Sequence, residues 1–278
     1  MSAPPDQYGV IGHPVAHSWS PFIHGMFARQ TGESLVYRLH DVLPQDFRAY
    51  VLDFFSRGGR GLNVTVPHKV AAAELANELT PRAERAAAVN TLAVQRDNRV
   101  LGDNTDGAGL VHDLRDNLSV NFAGRRVLIV GAGGATRGVV APLLVLGPAE
   151  LVIANRTADR AHALANDFND LGDVHGCGFD GLGEHPYDIV INATSASLAG
   201  QVPAIPPTVI GPDSLCYDMA YGKGDTPFQK WAREHGCTRA IQGWGMLVEQ
   251  AAESFQLWRG VRPQTAPILE ALRERATA

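Results

Sequence analysis

Cysteine is scarce in this 278-residue chain: Cys177, Cys216 and Cys237 are all there is. An odd number at wide spacings argues against a disulfide framework, and a zinc site needs close pairs that are missing. The three read as buried free thiols in a reducing cytosol. An excess of either charge is also lacking. Lys and Arg total 24 against 29 Asp and Glu, a formal net charge of −5. Nothing electrostatic therefore points to nucleic acid or to an anionic membrane as partner. No run of about 18 uncharged apolar residues occurs, so no membrane span is expected. Met1 to Gln7 is polar and proline-bearing, without the basic and then apolar order of a signal peptide. His13 and His17 stand four apart, but Pro14 lies between them and no third ligand is near, so no metal is expected. Short repeats and low-complexity segments are absent. The remaining class is a cytoplasmic α/β protein that holds a small molecule in a local site.

What is present suits that class. Apolar residues make up 45%, and the length is comfortable for two domains. Tyr8–Ile11, Ser34–Leu39 and Gly61–Val66 read as strands. Helices are expected from Ser20-Pro21 to about Gln30, over Pro44–Phe55 and over Val70–Leu79. Asn90–Val94 and Val100-Leu101 read as a hairpin around Asp97-Asn98. This alternation predicts a largely parallel sheet. Asp106–Leu118 repeats leucine at i, i+4 and i+8 and is expected to be a helix linking two domains. A second α/β series follows. Its strands are expected at Arg125–Gly131, Leu151–Ala154, Val174–Cys177, Asp188–Asn192 and Ser214–Met219. Its helices are expected at about 135–146, 157–171 and 226–236. Gln201–Pro212, with four prolines, reads as a surface loop. Gly245–Trp258 and Pro267–Ala276 read as helices.

Val127-Leu-Ile-Val130 runs directly into Gly131-Ala132-Gly133-Gly134-Ala135. A strand, a glycine turn and a helix start make a phosphate cradle, because glycine lets the backbone approach a pyrophosphate while the helix offers free N–H groups. Thr136 occupies the third glycine place, a departure from the usual pattern. A tight turn without ligand is the competing reading. The next strand ends at Ala154 and is followed by Asn155, Arg156 and Thr157, with Arg160 a turn later. A carboxylate for ribose hydroxyls is missing there, and Arg156 can meet a 2′-phosphate, which favours NADP over NAD. Asn155 and Thr157 could equally cap the next helix.

Lys69 closes Asn63-Val-Thr65-Val-Pro-His-Lys69 at the carboxyl end of a strand, the edge where ligands gather in open α/β sheets. Alone it would read as a solvated lysine, and Asp106 alone as a helix cap. The order of motifs changes that weighting. Ser18-Trp-Ser20-Pro, Asn63 to Lys69, Ala88-Val-Asn90-Thr, Asn104-Thr-Asp106-Gly, Gly131 to Ala135, Asn155-Arg-Thr157, Asn192-Ala-Thr194-Ser, Asp218-Met219-Ala-Tyr221 and Gly243-Trp-Gly-Met-Leu-Val-Glu-Gln250 follow one another. In this order the chain resembles the shikimate dehydrogenase family, including its shikimate/quinate members, over nearly its full length.

That resemblance implies reversible NADPH-linked reduction of 3-dehydroshikimate to shikimate, a step of chorismate and aromatic amino acid biosynthesis. It implies Lys69 and Asp106 as the acid–base pair, since an alkoxide formed by hydride addition needs a proton from a positioned donor. Ser18 and Ser20, helped by Tyr221, match the groups that bind the substrate carboxylate. Asn63, Thr65, Asn90 and Gln250 match those that bind the ring hydroxyls. Met219 and Gly243 match positions beside the nicotinamide, and Thr194 lines the same place. Trp19 and His68 depart from the family's usual residues, and packing is the preferred reading of His68.

The implied architecture is α/β with two domains and a cleft between them. A substrate-binding domain, 1–106, takes back the final helices, 243–278, and a Rossmann-like NADP-binding domain covers 107–242. Cleft closure is expected to exclude water. A monomer or homodimer is expected. Two other readings compete. One is an enzyme that oxidises quinate with NAD or with either cofactor, against which Ser18, Ser20 and Arg156 argue. The other is a non-catalytic ligand sensor on the same scaffold, against which Lys69 and Asp106 argue.

Overall fold

The computed structural model describes residues 4–277. The first three residues of the polar Met1 to Gln7 segment and Ala278 lie outside the described residues. The chain forms two compact units. One comprises residues 1–109 and 248–269, the other residues 110–247 and 270–278.

The first unit is built on strands β1 (Asp6–Gly12), β2 (Leu35–Asp41), β3 (Gly59–Val64), β4 (Glu78–Leu79), β5 (Thr91–Val94) and β6 (Val100–Asp103). Their order is β2-β1-β3-β5-β6-β4. Helices α1 (Ser20–Thr31), α2 (Phe47–Ser56), α3 (Lys69–Leu75) and α4 (Pro81–Ala86) connect them. The sheet is mixed rather than largely parallel. β1 pairs parallel with β2 and β3, but β5 is antiparallel to β3 and β6. For β5 and β6 the cause is the hairpin at Asp97-Asn98, where Asn98 adopts φ 65°. A tight reversal leaves no length for the crossover that parallel neighbours need.

The expected helix over Val70–Leu79 is interrupted. The backbone N–H of Asn77 donates to the Val100 carbonyl, and the Asn77 side chain accepts from Val100 N at 2.8 Å. These bonds draw Glu78-Leu79 into the sheet beside β6. Thr80 then accepts from Ala83 N and starts α4 with Pro81 in the first turn; α1 shares the first-turn proline, Pro21, but has no side-chain cap.

The chain enters the second unit within α5 (Asp106–His112). The regular helix stops short of the expected Leu118. A wider turn covers Asp113–Asn117, where Asp113 is buried and accepts from Tyr217 Oη at 2.6 Å. The second sheet contains β7 (Arg126–Val130), β8 (Glu150–Ala154), β9 (Val174–Cys177), β10 (Ile189–Asn192), β11 (Leu215–Asp218) and β12 (Arg239–Gln242). Helices α6 (Gly134–Leu144), α7 (Ala158–Asn166) and α8 (Pro227–Glu234) accompany it. The order is β12-β11-β10-β7-β8-β9, and every pairing is parallel. Val127 to Val130 are buried, the continuous apolar run of a central strand covered on both faces. Winding reverses between β7 and β10, the place where doubly wound sheets open a crevice at the strand ends.

Three smaller differences stand out in this unit. α7 ends at Asn166 rather than 171, because Phe168 turns into the core. β12 carries too weak an apolar signal to be expected. Gln201–Pro212 is not wholly surface, since Ile205, Val209 and Ile210 are buried beneath it. All three cysteines are free.

The chain returns to the first unit within α9 (Trp244–Arg259) and ends in α10 (Ala266–Thr277). Arg259 fastens α9 to the first sheet by donating to Asp6 Oδ2 at 2.5 Å and pairing with Glu33. Among the described residues, no helix is long and apolar enough to cross a membrane.

His24 on α1 is buried in the same unit. Its ring stacks on Tyr37 at 4.2 Å and 6°, and Asn63 is its polar neighbour. Burial lowers its pKa from 6.5 to about 3. Below pH 6.5 the unfolded chain therefore binds a proton that the folded chain refuses, and stability must fall with pH. Between pH 6.5 and about 5.5 the loss is on the order of 1 kcal/mol. Chemical denaturation of wild type and His24→Phe at the two pH values checks it: the variant's pH dependence should be flatter by that amount.

Candidate functional site

In the first unit the residues expected to act together meet. Ser18 Oγ lies 3.1 Å from Ser20 Oγ and accepts from Ser20 N at 3.2 Å, so the start of α1 presents two hydroxyls and the first turn of a helix. Between them Trp19 packs edge-on against Phe22 at 6.2 Å. β3 ends in Asn63 and Val64, and the turn after it brings Thr65, half-buried, to Lys69, the first residue of α3. His68 faces away from this chemistry. Its Nε2 lies 2.8 Å from the Val42 carbonyl, and its ring stacks on Phe47 at 4.7 Å. Burial pushes its pKa down. It works as a packed strut under the turn that carries Lys69.

Lys69 Nζ donates to Asp106 Oδ2, and the two side chains are only 14% and 7% exposed. The other carboxylate oxygen of Asp106 accepts from Asn90 Nδ2 at 2.8 Å. Asn90 is itself fixed, because its Oδ1 accepts from the Thr105 backbone N–H at 2.8 Å. That bond orients the amide so that its NH2 group meets the carboxylate. Asn104 completes the frame by donating to the Ala88 carbonyl and accepting from Asp106 N. A buried ammonium–carboxylate pair with a neutral donor behind it can exchange a proton while the carboxylate holds the amine in place.

Gln250 on α9 reaches the same cluster, with Oε1 3.4 Å from Asn90 Nδ2 and 3.5 Å from Thr105 Oγ1. Gly109 on α5 permits this approach, since a Cβ there would lie 2.6 Å from Gln250 Cβ. Sequence reasoning missed several members. Tyr37, Thr91, Thr105 and Ser254 all bond to the asparagines. Thr91 and Thr105 fall inside motifs quoted above, so a signal was present for them. Tyr37 and Ser254 carry none.

In the second unit β7 ends at the glycine turn. Gly131 has φ 110°, and a Cβ there would lie 3.0 Å from Thr194 Cγ2. Glycine is thus required by backbone conformation and by closeness to the loop after β10. Thr136 in the third place is buried and donates to the Gly131 carbonyl at 2.8 Å. The departure from glycine therefore ties the first turn of α6 back to the strand end. Gly133 precedes α6 without a side-chain cap, and around it a Cβ would meet nothing within 4 Å. Ala132, Gly134 and Ala135 complete this turn. Free N–H groups and open space at the start of an 11-residue helix suit a pyrophosphate.

At the end of β8, Arg156, Thr157 and Arg160 are exposed, and neither guanidinium is paired among the described residues. Asn155 Nδ2 donates to the Thr157 carbonyl at 3.0 Å, whereas Thr157 makes no side-chain cap. The residues present fit a phosphorylated dinucleotide.

The loops after β10 and β11 share one anchor. The buried Asp218 carboxylate accepts from Asn192 Nδ2 at 3.0 Å, Ser197 Oγ at 2.6 Å and Thr226 Oγ1 at 2.7 Å. Burial raises its pKa, against the pull of these three donors. Thr194 Oγ1 donates to Asn192 Oδ1 at 2.7 Å, Met219 N donates to the Asn192 carbonyl, and Gly243 N donates to the Ala220 carbonyl. Thr194, Met219 and Gly243 are thereby held at one end of this sheet. Tyr221, also in this unit, packs against Trp244 at 4.7 Å, and desolvation pushes its pKa up to about 12.

Known proteins share both the sequence and the fold of this chain. Residues 10–92 match the shikimate dehydrogenase substrate binding domain, 113–199 the shikimate/quinate 5-dehydrogenase domain, and 243–273 the shikimate 5′-dehydrogenase C-terminal domain. A shikimate dehydrogenase (NADP+) of Methylococcus capsulatus is 54% identical over 275 residues, covering 99% of both chains. The crystal structure of an Ael1 enzyme from Pseudomonas putida aligns with TM-score 0.88 at 47% identity, covering 96% of this chain and 98% of that one. A shikimate 5-dehydrogenase from Thermus thermophilus, solved with NADP(H) and shikimate, aligns at 0.84 with 32% identity, covering 98% and 99%. Identity at this level along the whole length means that the chain belongs to the shikimate dehydrogenase family.

Proposed function

We propose that this chain catalyses the reversible NADP-dependent interconversion of shikimate and 3-dehydroshikimate, the oxidoreduction that serves chorismate and aromatic amino acid synthesis. One observation carries the reading: the buried contact of Lys69 with Asp106, backed by Asn90. Bound NADP supplies the hydride acceptor in oxidation, and NADPH the donor in reduction. Lys69 takes the hydroxyl proton as the carbonyl forms and returns it to the oxygen in the reverse direction. Asp106 keeps the amine aimed, and Asn90 keeps Asp106 from rotating. Ser18 and Ser20, with Tyr221, hold the substrate carboxylate through neutral donors. Asn63, Thr65, Asn90 and Gln250 hold the ring hydroxyls.

Gly131, Ala132, Gly133, Gly134 and Ala135 cradle the pyrophosphate. Asn155, Arg156, Thr157 and Arg160 read the 2′-phosphate, and Thr194, Met219 and Gly243 border the nicotinamide. On this reading residues 1–106 with 243–278 bind substrate and 107–242 bind cofactor. The protein works in the cytoplasm as a monomer or homodimer. Nicotinamide absorbance followed with shikimate and with quinate, each with NADP and with NAD, tests it. Fastest turnover is expected for shikimate with NADP, and absence of turnover with shikimate overturns the reading.

A further inference from the structure

Asn63 is held on both ends of its amide by residues that no motif marks. Tyr37 Oη, on β2, donates to Asn63 Oδ1 at 2.7 Å. On the other side Asn63 Nδ2 donates to Ser254 Oγ at 2.8 Å and to Thr91 Oγ1 at 3.1 Å, with the Asn90 carbonyl at 3.4 Å. The amide cannot be turned over, because a carbonyl can only accept and Asn63 must face Asn90 with its NH2 group. Ser254 is buried on α9, one turn beyond Gln250. Its hydroxyl accepts from Asn63 Nδ2 and lies 3.1 Å from the Gln250 carbonyl and 2.8 Å from Thr91 Oγ1. A short buried chain of bonds thus runs from Tyr37 through Asn63, Ser254 and Thr91 to Asn90, whose amide meets Asp106.

We infer that Tyr37 and Ser254 are positioning residues that clamp Asn63 from opposite sides and set its amide for the substrate hydroxyl before substrate arrives. This rests on the reading of Asn63 as a substrate residue given above. An amide fixed in advance gives up no rotamer freedom on binding, and an unclamped one must be ordered by the ligand. The effect therefore falls on substrate binding and leaves proton transfer at Lys69 and cofactor binding alone.

A double-mutant cycle reads this out. Tyr37→Phe and Ser254→Ala should each raise the KM for shikimate about 3- to 10-fold, the range expected for one buried hydrogen bond. The change in kcat should stay within about twofold, and the KM for NADP should not move. In an Asn63→Ala background the same substitutions should add less than about twofold. A full effect in that background, or a loss in kcat instead of KM, overturns the clamp. Hydrogen exchange of the Asn63 side-chain NH2 group, followed by NMR without substrate, decides independently of activity. Protection is expected in the wild type and should drop in both variants, and equal exchange in all three overturns the proposal. Failure of the wild type to oxidise shikimate would count against the enzymatic reading, and the exchange measurement would still decide the clamp.

Discussion

Replacing Lys69 by alanine is expected to lower kcat by at least about a hundredfold, the scale of losing a general acid or base. The amine sits at the first residue of α3, on the short turn after β3, and donates to a carboxylate that is itself 7% exposed. With Lys69 gone, the frame set by Asn90, Asn104 and Asp106 no longer holds an amine aimed to pass the proton. Shikimate binding should change much less, because the serine and asparagine donors belong to other elements. Single-turnover kinetics, with shikimate affinity measured by calorimetry, separates the two effects. A kcat equal to that of the wild type removes Lys69 from the mechanism. A matched loss of affinity and rate shows a binding role instead.

The second large effect is expected at Arg156. Its guanidinium is exposed and unpaired among the described residues, at the end of β8 where an NAD-selective site carries a carboxylate. Arg156→Ala should weaken NADPH about 10- to 100-fold, the range of a charge-assisted hydrogen bond to phosphate. NADH lacks that phosphate and should change by no more than about threefold. Fluorescence titration of both cofactors gives the ratio directly. An equal loss for both would show that Arg156 does not read the 2′-phosphate and that Arg160 or Thr157 carries the discrimination. Because Arg156 has no partner to leave behind, its removal strands no buried charge, and stability should be untouched.

Much of this was legible in the residues themselves. The glycine turn announces itself because a strand and a helix joined with φ 110° at Gly131 require that residue type locally. Pro21 declares the start of α1 because a proline in the first helical turn is a preference that involves only neighbours. Thr80 accepting from Ala83 N, with Pro81 in the first turn, marks the start of α4 in the same local way. Glu78-Leu79 joined the sheet only because Asn77 bonds to Val100, 23 residues away. Such a bond leaves no periodic trace.

Five of the six strands of the second sheet and the glycine turn after β7 were determined by sequence alone, since hydrophobic period and turn residues act over a few neighbours and can be read in order. Tertiary structure alone decided that Tyr37 and Ser254 bracket Asn63, that the Asp218 carboxylate gathers two loops, and that the first sheet turns antiparallel at β5. Those outcomes depend on which buried donors and acceptors find each other across long separations. A buried polar group must be satisfied by whatever packing brings beside it, and the residue type alone does not say by which partner.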